Sequence, residues 1–248
     1  MNEQEKYLFD LNGYLVVQDA LLPAHLAELN RLLGERLAAQ TGDRSFSGGG
    51  DLLTWGQPFI ELIDNPRITP YLELLLGDDF RLDHDYYHVH APATGGTRPA
   101  HQLHGGGTPF DPGQFYRWDN GMPRCGLTVV AYNLNPVNPG DGGFAAVPGS
   151  HKSNVSLPRE WLSLSNPAPV VQPVTGPAGS AVIFTEALTH GTLGWKGVHE
   201  RRTIFYKYSP SEISWSARYY DPDKFPSLTE RQRAILEAPN ARYENRHG

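Results

Sequence analysis

Cysteine is nearly absent from this sequence. Cys125 is the only one in 248 residues, so no intrachain disulfide is possible and a small disulfide-stapled scaffold is excluded. A lone thiol fits a reducing, cytoplasmic setting, which is the expected location. Long apolar runs are missing as well. No stretch approaches the length that a membrane-crossing helix needs. The opening Met1-Asn2-Glu3-Gln4-Glu5-Lys6 carries charge where a secretory signal would carry an apolar core. An excess of positive charge is lacking too: the formal net charge is −6. Neither polymeric nucleic acid nor an anionic membrane is therefore an expected partner. No internal repeat is visible. Turn-forming residues, by contrast, are plentiful. The 26 glycines and 21 prolines punctuate the chain into short elements.

The chain opens with helical patterning. Residues 3–11 predict a short helix closed by Asn12-Gly13, and residues 14–17 a strand. Residues 23–40 carry Leu26, Leu29, Leu32, Leu33 and Leu37 at helical spacing behind Pro23, which suits a first turn. Residues 42–51 are a Gly/Ser-rich loop, and residues 66–76 a further helix closed by Gly77. These leucines are read as core or helix-on-sheet packing.

From Phe80 the period changes towards two. Residues 80–89 predict a strand, with His84, His88 and His90 on one face. As isolated strand histidines they are read as packed or exposed rather than as ligands. Residues 91–99 form a turn-rich loop, and a long loop is expected after Gly107 through Gly121. Residues 127–134, 143–147, 180–185 and 203–208 are further strands, separated by turns that include 136–143 and 148–152. Short strands between Gly/Pro turns, behind N-terminal helices, predict a mainly β jelly roll in one domain spanning residues 1–248.

Two histidine segments organise the rest: His101-Gln102-Leu103-His104-Gly105-Gly106-Gly107 and Thr189-His190-Gly191-Thr192, the second followed by Arg201-Arg202 on a β-type run. Other stretches belong with them: Asn12-Gly13-Tyr14-Leu15-Val16-Val17, Gly140-Asp141-Gly142-Gly143-Phe144 and Pro148-Gly149-Ser150-His151-Lys152. Together they resemble the phytanoyl-CoA dioxygenase family over nearly the whole chain. The Pro-Gly-Ser-His-Lys turn and the eleven-residue step from His190 to Arg201 are the more specific parts. Members of that family are iron(II)- and 2-oxoglutarate-dependent oxygenases on a double-stranded β-helix, which is a jelly roll. The resemblance implies iron ligands at His104 and His190 and a 2-oxoglutarate carboxylate partner at Arg201. It also implies a small hydroxyl residue, Thr192, near the same carboxylate. It departs at Gly106, where the family has Asp.

The chemistry gives that departure its weight. Iron(II) takes six ligands, and neutral imidazoles suit it. 2-Oxoglutarate fills two positions through its 2-oxo group and C1 carboxylate. Its far carboxylate calls for a permanently charged, bidentate arginine. With a protein carboxylate in the fifth position, one remains for dioxygen; without it, two remain. In the iron halogenases related to this family, Gly or Ala replaces the carboxylate and chloride fills the vacancy. His104-Gly105-Gly106 resembles that signature. The expected activity is accordingly a 2-oxoglutarate-dependent halogenase with Gly106 as the permissive residue. A hydroxylase with a carboxylate-free site and a non-catalytic metal-binding jelly roll are the alternatives. Asp111 and Asp141 are rival carboxylates, His101 the rival of His104, and Arg202 the rival of Arg201; on a strand only one of two adjacent arginines faces inward.

Iron(II), 2-oxoglutarate, chloride and dioxygen are the expected cofactors and co-substrates. The substrate is expected to be a free small molecule, contacted by Tyr116, Arg117, Trp118, Asn133, Phe144 and Arg218. Arginines beside aromatic rings would suit a stacked base with a phosphate, so a deoxyadenosine phosphate is the specific expectation.

Overall fold

Alternation along the strands sorts the side chains of this protein into two faces, and each face meets a different layer. The computed structural model describes residues 1–39, 46–49, 51–93, 101–239 and 241. The elements in chain order begin with α1 (Glu3–Asn12), β1 (Tyr14–Val17), α2 (Pro23–Ala38), β2 (Phe46–Gly49), α3 (Gln57–Ile60) and α4 (Thr69–Leu76). Then follow β3 (Arg81–His90), β4 (His101–His104), β5 (Tyr116–Asp119), β6 (Met122–Cys125), β7 (Thr128–Asn133) and β8 (Gly143–Ala146). The chain continues with β9 (Gln172–Pro173), β10 (Ala181–Thr185), β11 (His190–Leu193), β12 (Arg201–Ser209) and α5 (Glu230–Ile235).

A major sheet runs β1-β10-β7-β12-β3-β2 and a minor sheet β4-β11-β8-β9, and among the described residues these strands pair antiparallel. The expected mainly β jelly roll with supporting N-terminal helices is what forms. Outward residues of the major sheet, Val130, Tyr132, Ile183, Ile204, Tyr206 and Tyr208, pack against Phe9, Leu29, Leu33 and Phe59 of the helical layer. Inward residues, Val129, Ala131, Val182, Phe184 and Phe205, meet Phe144 and Ala146 of the minor sheet. Each such large apolar side chain, fully buried, stabilises the fold by roughly 1.5–3 kcal/mol. A one-residue slip would exchange the two faces, so this pattern fixes the register. Tyrosine hydroxyls tie the layers: Tyr206 donates to the Phe59 carbonyl at 2.7 Å and Tyr208 to that of Leu62 at 3.0 Å.

Local signals explain most boundaries. Gly13 ends α1 in the left-handed region, φ 80°, with its N–H on the Phe9 carbonyl. Pro23 stands in the first turn of α2. The helix expected over 66–76 starts later, at Thr69, because Pro70 cannot sit inside a helix and instead opens one. The expected long loop through Gly121 is also corrected. β5 and β6 form a hairpin around Asn120 and Gly121, at φ 52° and 77°, and the Asn-Gly pair is a turn signal for such hairpins. Of the loop expected over 42–51, residues 46–49 are β2; residues 42–45 and 50, and most of the loop over 91–99, lie outside the described residues. Among the described residues no helix is long and apolar enough to cross a membrane.

Candidate metal centre

β11 opens on His190, and its neighbour β4 ends on His104. The register sets the two residues directly opposite each other, with ring centroids 4.1 Å apart. Between β10 and β11 lies a tight turn that carries Glu186. The turn is held by Glu186 N–H on the Leu127 carbonyl at 2.9 Å and Leu188 N–H on the Thr185 carbonyl at 2.9 Å. Among the described residues, His104, Glu186 and His190 bring one ligand atom each to within 4.8 Å of one another.

The protonation states suit metal binding. His190 is buried, and its Nδ1 lies 2.7 Å from the Leu188 carbonyl. A carbonyl only accepts, so Nδ1 carries the proton and Nε2 keeps a lone pair. Burial pushes its pKa down to about 4, against the pull of Glu186, leaving a neutral imidazole at pH 7. Burial pushes the Glu186 carboxyl up, but its interactions with the His190 ring, the Lys207 ammonium and the His104 ring outweigh that and hold the group below its usual range. Lys207 Nζ donates to Glu186 Oε1 at 2.6 Å.

Arg201 lies inward at the start of β12, 2% exposed. Its Nη1 is 3.5 Å from His90 Nε2, and its Nε has no hydrogen-bond partner among the described residues. Two positions along, the buried Thr203 hydroxyl also lacks one among those residues. An unsatisfied buried guanidinium N–H is costly, and its presence beside a cavity fits an anionic ligand. Desolvation lowers the Arg201 pKa to about 10, still charged at pH 7. Gly143 leaves the space beside it open: a β-carbon there would stand 3.1 Å from Nε. Arg202 faces the other way, onto Glu200 and the Asn30 carbonyl at 2.9 and 3.1 Å.

The cavity between these groups has a volume of about 340 Å³, and His88, His104, Phe144, His190, Thr192 and Arg201 are among its lining residues. The structure thus brings His104, His190, Thr192, Arg201 and Phe144 together, with Asn133 buried on β7 opposite Thr203. The other substrate expectations are not brought there. The Tyr116 hydroxyl donates to Asp10 at 2.6 Å, and its ring packs on His151. Arg117 is exposed over the Phe115 ring, Trp118 is exposed beside Lys6 and Tyr7, and Arg218 is exposed. They belong to the β5–β6 hairpin and a C-terminal loop, whose placement no local pattern encodes.

The rival carboxylates lie elsewhere. Asp111 accepts from the backbone of Gly113 and Gln114, and Asp141 from that of Asn138. His101 pairs with Thr192 through its backbone; its side chain lies outside the described residues. Gly106 does not line the cavity. It lines a separate groove of about 500 Å³ with Thr189 and Trp161. Sequence reading missed Glu186, Lys207 and Thr203. It also took His88 for packing, whereas His88 lines the cavity. A signal existed for Glu186, which stands four positions before His190 at the end of a strand.

Two opposed histidines, a buried carboxylate and an inward arginine whose Nε lacks a partner among the described residues stand together in the jelly roll, an arrangement able to hold a metal and an anion. The sequence profile of the phytanoyl-CoA dioxygenase family matches residues 9–203, and the chain belongs to that family of iron(II)- and 2-oxoglutarate-dependent oxygenases. Among solved structures it is similar to HygX from Streptomyces hygroscopicus with nickel and 2-oxoglutarate bound. That match has 22% identity, covers 89% of this chain and 91% of HygX, and has a TM-score of 0.78. The iron-bound EctD from S. alaskensis matches at 21% identity over 89% and 82%, with a TM-score of 0.65. The 2-oxo-acid-dependent epimerase SnoN from nogalamycin biosynthesis matches at 16% identity over 85% and 83%, with a TM-score of 0.61. At these identities the likeness is one of fold. No curated protein sequence matches significantly.

Proposed function

We propose that this protein couples the oxidative decarboxylation of 2-oxoglutarate to the oxidation of an unactivated C–H bond in a free small molecule. The observation that carries this reading is Arg201, buried with an unpartnered Nε in the same cavity as the His104–His190 pair. Iron(II), when bound, supplies the activation of dioxygen. One oxygen atom goes to succinate as carbon dioxide leaves, and the other to the substrate carbon, so the electrons balance without a further reductant. The protein's own groups do the rest. His104 and the Nε2 of His190 hold the metal, and Arg201 with Thr192 holds the far carboxylate of 2-oxoglutarate. Phe144, Phe184 and Phe205 keep the bottom of the cavity apolar.

HygX has been seen with nickel, 2-oxoglutarate and hygromycin B, and SnoN with nogalamycin RO. These names support a natural-product-like small molecule as substrate. The expected nucleotide loses its basis, because Arg117, Trp118 and Arg218 lie outside the cavity. Halide transfer is the second reading, favoured by Gly106 in place of an acid. Oxygen transfer is preferred because a carboxylate, Glu186, already stands among the metal-binding atoms.

The test is anaerobic reconstitution with iron(II) and 2-oxoglutarate, followed by oxygen and a panel of such molecules with and without chloride. Succinate formation and a product heavier by one oxygen, equal in both salts, are expected. Chloride-dependent product would move the assignment to halide transfer. Absence of succinate with every substrate and in its uncoupled background would reject the oxygenase reading.

A further inference from the structure

We infer that Glu186 is the third protein ligand of the metal, a carboxylate delivered from the β10–β11 turn instead of from the strand end after His104. This rests on the oxygenase reading above and sharpens its metal centre.

The position where the family has Asp cannot serve here. Gly106 has φ 130°, in the region that side chains rarely adopt. A β-carbon built on it points to the Thr189 hydroxyl, 3.1 Å away. Thr189 alternates with His190 along the chain, and both Thr189 and Gly106 line the outer groove, not the histidine cavity. Gly106 is therefore turned away from the histidine pair.

The neighbouring glycine does something different. At Gly105 a β-carbon would stand 2.6 Å from the Leu188 carbonyl oxygen and 2.8 Å from that of Glu186. Real β-carbons do not come so close, so only glycine lets the Glu186–Leu188 turn close against the end of β4. That turn then does two jobs. Its Leu188 carbonyl fixes the His190 tautomer, and its Glu186 side chain reaches both imidazoles. One substitution pattern, Gly105-Gly106, removes a carboxylate from one strand and admits another from the next.

Lys207 completes the arrangement. It occupies Oε1 of Glu186 at 2.6 Å and leaves the second carboxylate oxygen to the metal. A cation on the far oxygen keeps the ligand ionised and fixes its direction, as outer partners of metal ligands commonly do. The resulting donor set, two neutral imidazoles and one carboxylate, is that of an iron oxygenase. The anion that a halide would supply then comes from the chain.

The test uses the full chain stripped of metal and titrated anaerobically with cobalt(II), reading affinity and the visible d–d spectrum. Glu186→Ala should weaken cobalt binding about tenfold or more and change the spectrum, and added formate should restore both. Because Glu186→Ala leaves Lys207 buried without its partner, the double variant Glu186→Ala/Lys207→Met is measured beside it. The same loss is expected there. Parental affinity and spectrum in the double variant would overturn the inference, and so would a weakened single variant that formate does not restore. A parent chain that binds no cobalt at all would overturn the metal-centre reading itself, an outcome distinct from either.

Discussion

Gly105 packs directly against Leu188: a β-carbon at Gly105 would lie 2.6 Å from the Leu188 carbonyl oxygen. That oxygen is also the one that accepts from His190 Nδ1. Crowding at Gly105 is thus passed to His190, the proposed metal ligand, through a single carbonyl. Gly105→Ala should cost about 1–3 kcal/mol in urea unfolding, from the left-handed φ of 76° and the displaced turn. Cobalt affinity should fall with it. Gly121→Ala is the control, since Gly121 has φ 77° and no atom of the described residues within 4 Å of the added carbon; it should lose stability without losing metal affinity.

Gly106→Asp would restore the family's acid in sequence but not in space. Its β-carbon faces Thr189 and the outer groove, at a φ of 130°. The variant should be less stable than the parent, and its cobalt affinity should not rise. Tighter binding with a new d–d spectrum would show that the loop turns to present the acid.

Arg201 and Arg202 are adjacent in sequence and face opposite ways. Losing a charge-assisted, bidentate contact at Arg201→Ala should weaken 2-oxoglutarate binding by ~1.5–3 kcal/mol. Isothermal titration of the metal-loaded protein reads this directly. Arg202→Ala removes the contacts to Glu200 and Asn30, so it should lower thermal stability and leave 2-oxoglutarate affinity unchanged. The reverse order would transfer the carboxylate partner to Arg202.

His151 gives the fold a pH dependence. Burial, helped by the nearby Lys152, pushes its pKa down to about 4 from the usual 6.5. Its Nε2 meets the Asp10 carbonyl at 3.0 Å. Below pH 6.5 the unfolded chain takes up a proton that the folded chain refuses until about pH 4. Stability from this group is therefore whole above pH 6.5 and falls as pH drops, by up to about 1.4 kcal/mol per unit. Urea unfolding at pH 7 and pH 5 should show a steeper loss for the parent than for His151→Gln. Equal slopes would mean that His151 titrates normally in the folded chain.

Much of this protein is legible in one dimension. Strand geometry sorts residues 128–133 and 201–209 into two alternating sets, because side chains on a strand point alternately to opposite faces; both sets are largely buried, so packing decides which one meets the helices. The same rule separates Arg201 from Arg202 once one of them is needed inside. Asn12-Gly13, Pro23 and Asn120-Gly121 mark their turns and helix ends through backbone geometry alone, although the hairpin at Asn120-Gly121 has to be read from that pair and not from its polar surroundings. The two histidines are visible as residues suited to a metal.

The partner of those histidines is decided only in three dimensions. Glu186 and His104 are far apart along the chain, and they meet because β11 pairs with β4 in one register and the β10–β11 turn closes on Gly105. Gly106 reads as a vacancy beside the metal until its φ turns it towards Thr189. Tyr116 and Trp118 read as pocket residues until the β5–β6 hairpin carries them to α1 and away from the cavity. Local sequence sets which face a side chain takes, since that depends on a residue and its neighbours. Which remote groups share a site depends on strand register and turn closure, and those are fixed by packing across the whole fold.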